Sequence, residues 1–199
     1  MKQVEQELIR NEKIRDKVME LREGLGINLG ERKIYLLAAY LDIVIEHHAA
    51  IDLLVKNERF GSAFALLRPV AETIYRSAWV NACATSQQLD QLVEDDNFDF
   101  PKLKNMMEKV DLTYSTDGFF QNVKSDSWKA MCSYAHSGLL QITRRFGGED
   151  GHIGPNYSEA EILEVLKGSS TFLFLLAILF FKSTNYKDQA SEIEKLILN

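Results

Sequence analysis

Residues that break regular structure are scarce in this chain. Three prolines and 11 glycines among 199 residues are too few for a sandwich or barrel of many short strands, and they leave room for long helices. Cysteine is nearly missing as well. Cys83 and Cys132 lie inside apolar segments, which fits buried thiols in a reducing compartment and argues against a disulfide scaffold. Positive charge is not in excess: 23 basic against 29 acidic residues give a formal net charge of −6. An acidic surface repels phosphate, so non-specific coating of nucleic acid is disfavoured, while a local basic groove stays open. Long hydrophobic runs are lacking too. The most apolar stretch, Thr171 to Phe181 between Lys167 and Lys182, falls short of the roughly 20 residues that cross a bilayer. Met1 to Arg10 is polar and charged, unlike a signal peptide. The expectation is a cytoplasmic protein with no membrane span.

What is present is helical periodicity. Residues 2 to about 24 carry Val4, Leu8, Ile14, Val18 and Leu21 as a narrow apolar stripe on a charged helix, ended by Gly24, Gly26 and Gly30. A second helix is predicted over 31–56. A third spans about 62–83, apolar nearly all round as a central helix should be, with Pro69 in its interior expected to kink it. A short helix and a loop occupy 86–100, Pro101 opens a short helix ending near Asp111, and a fifth long helix is predicted over about 125–146. On that last helix Trp128, Met131, Cys132, Ala135, Leu139, Ile142 and Phe146 would share one face. Ser158 and Glu161 form a capping-box pattern that starts a helix running to about Phe181, and the tail from Asp188 reads as a short amphipathic helix. The fold expected is an all-α helical bundle in one domain of 1–199, with about five long helices and two or three short ones. Its first helix would pack outside the bundle or in a dimer interface.

The third helix carries the most informative charges. With Arg68 at zero on a wheel of about 100° per residue, Glu72 falls near 40°, Arg76 near 80°, Trp79 near 20°, Tyr75 near −20° and Phe64 near −40°. Three charges thus share a face with three large aromatics. One reading is an ion-pair ladder at the bundle edge. The other is a binding face for an anionic or planar ligand, because an arginine presents a planar fork to carboxylate or phosphate. On this second reading the ligand-binding residues are Arg68, Glu72, Tyr75, Arg76 and Trp79, with His136 facing them from the later helix. His136 also has a plain reading as a hydrogen-bonded residue at the core margin.

Metal and nucleotide signatures are weak. Asp42 with Glu46 and His48 with Asp52 stand at i,i+4 spacing, but no His-x-x-x-His, Glu-x-x-His or cysteine pair accompanies them, so neither a metal nor a cofactor is expected. Gly24, Gly26 and Gly30 make no Walker or Rossmann loop, and there is no Gly-x-Ser-x-Gly elbow.

The stretch from His48 to Trp79 resembles uncharacterised bacterial helical proteins of the HEPN-like group. The likeness is carried by Glu58-Arg59, Gly61-Ser62-Ala63, Leu67-Arg68-Pro69 and Glu72, and by a later Tyr134 and His136 followed by a small residue. The resemblance implies a HEPN-like bundle and a setting in toxin–antitoxin or phage-defence systems. Many members of that group are metal-independent RNases marked by Arg, four to six residues, then His. There the arginine steadies phosphate charge and the histidine assists proton transfer. Here Lys129 stands seven residues before His136. Arg145 and His152 have the formal spacing across the loop-like Phe-Gly-Gly-Glu-Asp-Gly. The weak catalytic candidates are therefore His136, Arg145 and His152. The departure from the hallmark favours a non-catalytic binding or regulatory module, with an RNase or a structural assembly subunit as alternatives. The partners expected are a second copy of the chain, and a protein, RNA or nucleotide ligand.

Overall fold

Helices form wherever the breakers are missing. The computed structural model describes residues 1–28, 30–95, 97–146 and 153–198, side chains at 123–126 and 197–198 apart. In chain order its helices are α1 (Lys2–Arg22), α2 (Arg32–Lys56), α3 (Phe60–Ala82), α4 (Ser86–Glu94), α5 (Leu103–Tyr114), α6 (Phe119–Ala135), α7 (Leu139–Thr143), α8 (Glu159–Ser183) and α9 (Lys187–Leu198). Among the described residues the only β pairing is an isolated antiparallel bridge between Phe146 and Ile153. The protein is all-α.

Local chemistry sets the helix ends. Gly24 takes a φ of 74° just beyond α1, a conformation glycine adopts without strain. Ser158 and Glu161 form the capping box that opens α8, as their spacing predicted, and Thr85 with Gln88 forms a second box at α4. α3 runs unbroken through Pro69, and Thr73 donates its hydroxyl to the Pro69 carbonyl at 2.8 Å.

α3 is the central helix, packed against α2, α5, α6 and α8. It buries Val70, Ile74, Ala78, Trp79 and Val80, while α8 adds Leu166, Leu173, Phe180 and Phe181 to the same core. α2 and α8 are each long and apolar enough, by length and composition, to cross a membrane; in this fold they pack against each other and against α3. The stripe of α1, Val4, Leu8, Ile14 and Val18, is buried within the chain itself, chiefly against α8.

The helix predicted over 125–146 is corrected. α6 starts earlier, at Phe119, and stops at Ala135; His136 is its C-cap residue, outside the helix, and α7 follows as a separate turn. The break has a local cause. Ser137 has a φ of 53°, and Gly138 donates its amide to the Ser133 carbonyl at 2.6 Å, an approach in which a Cβ on Gly138 would meet Ser133 Oγ at 2.6 Å. The apolar face expected to continue beyond the break does not exist: Leu139, Ile142 and Phe146 are exposed. An unbroken wheel cannot carry phase across a residue in the left-handed region.

Candidate functional site

Arg68, Glu72 and Arg76 rise one turn apart on α3, so one carboxylate stands between two guanidiniums. Arg68 Nε donates to Glu72 Oε1 at 3.0 Å, and Arg76 Nη2 lies 3.6 Å from Glu72 Oε2. Both arginines are also backed by rings. The Arg68 guanidinium sits 5.2 Å from the centroid of Trp128 on α6, and that of Arg76 sits 4.6 Å from Phe100 in the segment before α5. Cation–π contacts of this kind contribute about 0.5–1 kcal/mol at partly exposed sites. They hold long side chains that would otherwise lose more entropy on binding.

His136 completes the group. The break after α6 swings it to the surface, where its Nε2 meets Arg68 Nη1. Arginine has no acceptor, so in this contact the guanidinium donates and Nε2 accepts. Two guanidiniums face one carboxylate, which leaves the face net positive on a molecule whose formal charge is −6. Its side chains are reachable: the exposure of Arg68, Glu72 and Arg76 is 22%, 26% and 40%. Tyr40 of α2 lies within the field of Arg76; burial raises the Tyr40 pKa and the nearby cation works against it.

Other residues singled out from the sequence lie elsewhere. Trp79 and Tyr75 are only 1% and 2% exposed and belong to the core, so they do not wall the face. Trp79 packs on Phe98 and Phe100, and Tyr75 on Phe120 and Trp128, with burial pushing the Tyr75 hydroxyl up to about 12. Phe64 is buried too, in a cluster of three rings with Tyr134 and Tyr157. The actual ring partners, Trp128 and Phe100, come from other segments, so no wheel drawn on the third helix could find them. Arg145 reaches the start of α3, where its Nη2 lies 2.9 Å from the position a Cβ on Gly61 would take; that is about two turns before Arg68. His152 lies outside the described residues.

The arrangement can present guanidinium edges and an imidazole to an anion, with Glu72 as the internal counter-charge that must share them. No curated protein and no solved structure matches the chain. Residues 41–198, which leave out α1 and the start of α2, match the model of DUF6988, described as a family of unknown function, and the chain belongs to that family.

Proposed function

We infer that the Arg68–Glu72–Arg76–His136 face binds a phosphate-bearing ligand, RNA or a nucleotide, and that the protein is a non-catalytic binding or regulatory module. The observation that carries this reading is the pair of ring-backed arginines held open by a single shared carboxylate. Such a pair is pre-organised for phosphate and keeps an uncompensated positive charge. We further propose a cytoplasmic homodimer, as expected from the sequence, and the HEPN-like resemblance adds a setting in bacterial defence or stress response. The test is fluorescence anisotropy with a labelled single-stranded RNA, repeated with AMP as competitor. Arg68→Ala and Arg76→Ala should each weaken binding by about tenfold and reduce its salt dependence. Equal affinity for the wild type and both variants would sink the reading.

One contact favours a second reading, an RNase. Arg68 and His136 touch, so a phosphate held by the guanidinium would lie beside an imidazole nitrogen able to take a proton. Purified protein incubated with tRNA then decides: cleavage that disappears in His136→Ala establishes the enzyme, and intact tRNA leaves the binding module. A structural assembly role is separated from both by light scattering on the full chain with and without the RNA.

A further inference from the structure

A concavity lies beside α6, and neither Arg68 nor His136 lines it. It is a cleft of about 380 Å³ between α3, α6, α7 and α8, within the size range of small-molecule sites. Phe64, Leu67, Met131, Val165 and Phe172 make its walls apolar. Gly168 helps to open it: a Cβ there would make only an ordinary 3.9 Å contact with Leu67, so anything longer than a methyl would enter the space.

Polar groups gather at one side. Arg144, Glu161 and Tyr134 all line the cleft; the Arg144 guanidinium hydrogen-bonds the Tyr134 side chain and pairs with Glu161 through Nη2. The Arg144 Nε is nevertheless buried with no hydrogen-bond partner. A buried donor left unpaired is costly, and such groups are normally met by a protein acceptor, water or ligand. The demand is for an acceptor rather than for an anion. The Arg144 charge is already balanced by Glu161, and Glu164 adds a further carboxylate to the lining, so the charged residues there sum to −1. A ligand carboxylate or phosphate would meet net repulsion, and an ammonium would leave Nε unpaired.

We propose that this cleft binds a small, uncharged, mainly apolar molecule carrying a carbonyl-type acceptor, such as a ketone or amide, whose oxygen pairs with Arg144 and whose body lies against Phe64 and Phe172. The site is separate from the arginine face and does not depend on the function inferred for it.

Three probes of similar body and different head test the assignment by calorimetry on the full chain: benzylacetone, hydrocinnamate and phenethylamine. Benzylacetone should bind about tenfold tighter than either charged probe, as expected for one hydrogen bond to a charged donor. Gly168→Leu should abolish that binding by filling the cleft. Glu164→Gln, a change at an exposed position, should bring hydrocinnamate closer to benzylacetone and keeps the test decisive should Gly168→Leu not fold. Perturbed amide signals of Gly168 and Ala130 would place the ketone in the cleft. Hydrocinnamate or phenethylamine binding as tightly as benzylacetone overturns the proposal. So does the absence of binding by any probe, or ketone binding unchanged in a folded Gly168→Leu protein.

Discussion

The two tryptophans show how position decides the role of a residue. Trp79 is 1% exposed on the central helix, while Trp128 on α6 is half-buried and carries Arg68 on its ring. Truncating a buried large aromatic costs about 3–5 kcal/mol, through lost transfer energy and the cavity left behind. Trp79→Ala should therefore lower the stability measured in urea by that amount, with a smaller loss of RNA affinity, passed on through Phe100 to Arg76, under conditions where the variant stays folded. Trp128→Ala should do the reverse, costing less stability and weakening RNA binding because Arg68 loses its support. A binding loss of equal size in both variants would mean that the rings act only through the fold.

At the scale of elements, the junction between α5 and α6 depends on one carboxylate. Asp111 is 5% exposed near the end of α5, yet it caps the next helix: Oδ1 accepts from the Phe120 amide at 3.0 Å, and Oδ2 from the Gln121 amide at 3.2 Å. Thr116 Oγ1 donates to Oδ1 and Gln121 Nε2 to Oδ2. Burial alone would raise its pKa, but these hydrogen bonds outweigh burial and hold it below the ordinary carboxylate value. A carboxyl group depressed in the folded state binds fewer protons there than in the unfolded chain. Its contribution is therefore present above the unfolded pKa and is lost as pH falls through the folded one. Asp111→Ala should cost about 1–3 kcal/mol in denaturant melts, since it strands the α6 amides. It should also expose the amides of Phe120 and Gln121 to faster hydrogen exchange. Unchanged exchange at those two amides would show that the cap contributes nothing.

Across the whole molecule, a buried polar ring ties α1 to α2 and α8. Arg15 donates to Asp52 Oδ2 at 2.7 Å and to His48 Nδ1 at 3.2 Å, so the His48 proton lies on Nε2, which donates to Ser170 Oγ at 3.1 Å. Ser170 donates to Asn11 Oδ1 at 2.5 Å, and Asn11 Nδ2 closes the ring on Asp52 Oδ1 at 2.9 Å. His48 is wholly buried. Its pKa falls to about 4, mainly through burial, with Arg15 pulling the same way and Asp52 opposing. Because the folded value lies below the unfolded value of about 6.5, the unfolded chain takes up the proton first. Stability should thus decline by roughly 3 kcal/mol between about pH 6.5 and 4 and stop declining on this account below that. His48→Gln should flatten that part of the profile in urea melts at stepped pH; a slope equal to the wild type would exclude His48 as its source. Arg15→Met is expected to cost about 3–5 kcal/mol, because it leaves Asp52 charged and without its ion pair.

The helices were legible in the sequence because their signals are local. Scarce breakers, the Ser158–Glu161 box and the apolar periods of α1, α2, α3 and α8 act within a few turns and need no partner. The i,i+4 spacing of Arg68, Glu72 and Arg76 belongs to the same class, and so does the pairing it produces. What only the tertiary structure decided was which side chains meet across helices. Tyr75 and Trp79 share a wheel sector with those charges, yet packing against α6 and the segment before α5 takes them into the core. Trp128, Phe100 and His136 come from segments far off in the chain, and the break at Ser137–Gly138 sets where His136 stands. The periodicity predicts one helix straight through Ser137 and Gly138, and the approach to Ser133 makes the break. Asn11, Arg15 and Ser170 give the same lesson for His48 and Asp52: their i,i+4 spacing is visible in the sequence, but the hydrogen-bonded ring they join is not. Helix periodicity is written within single turns. The sites are assembled by packing, which acts between segments that the sequence does not place side by side.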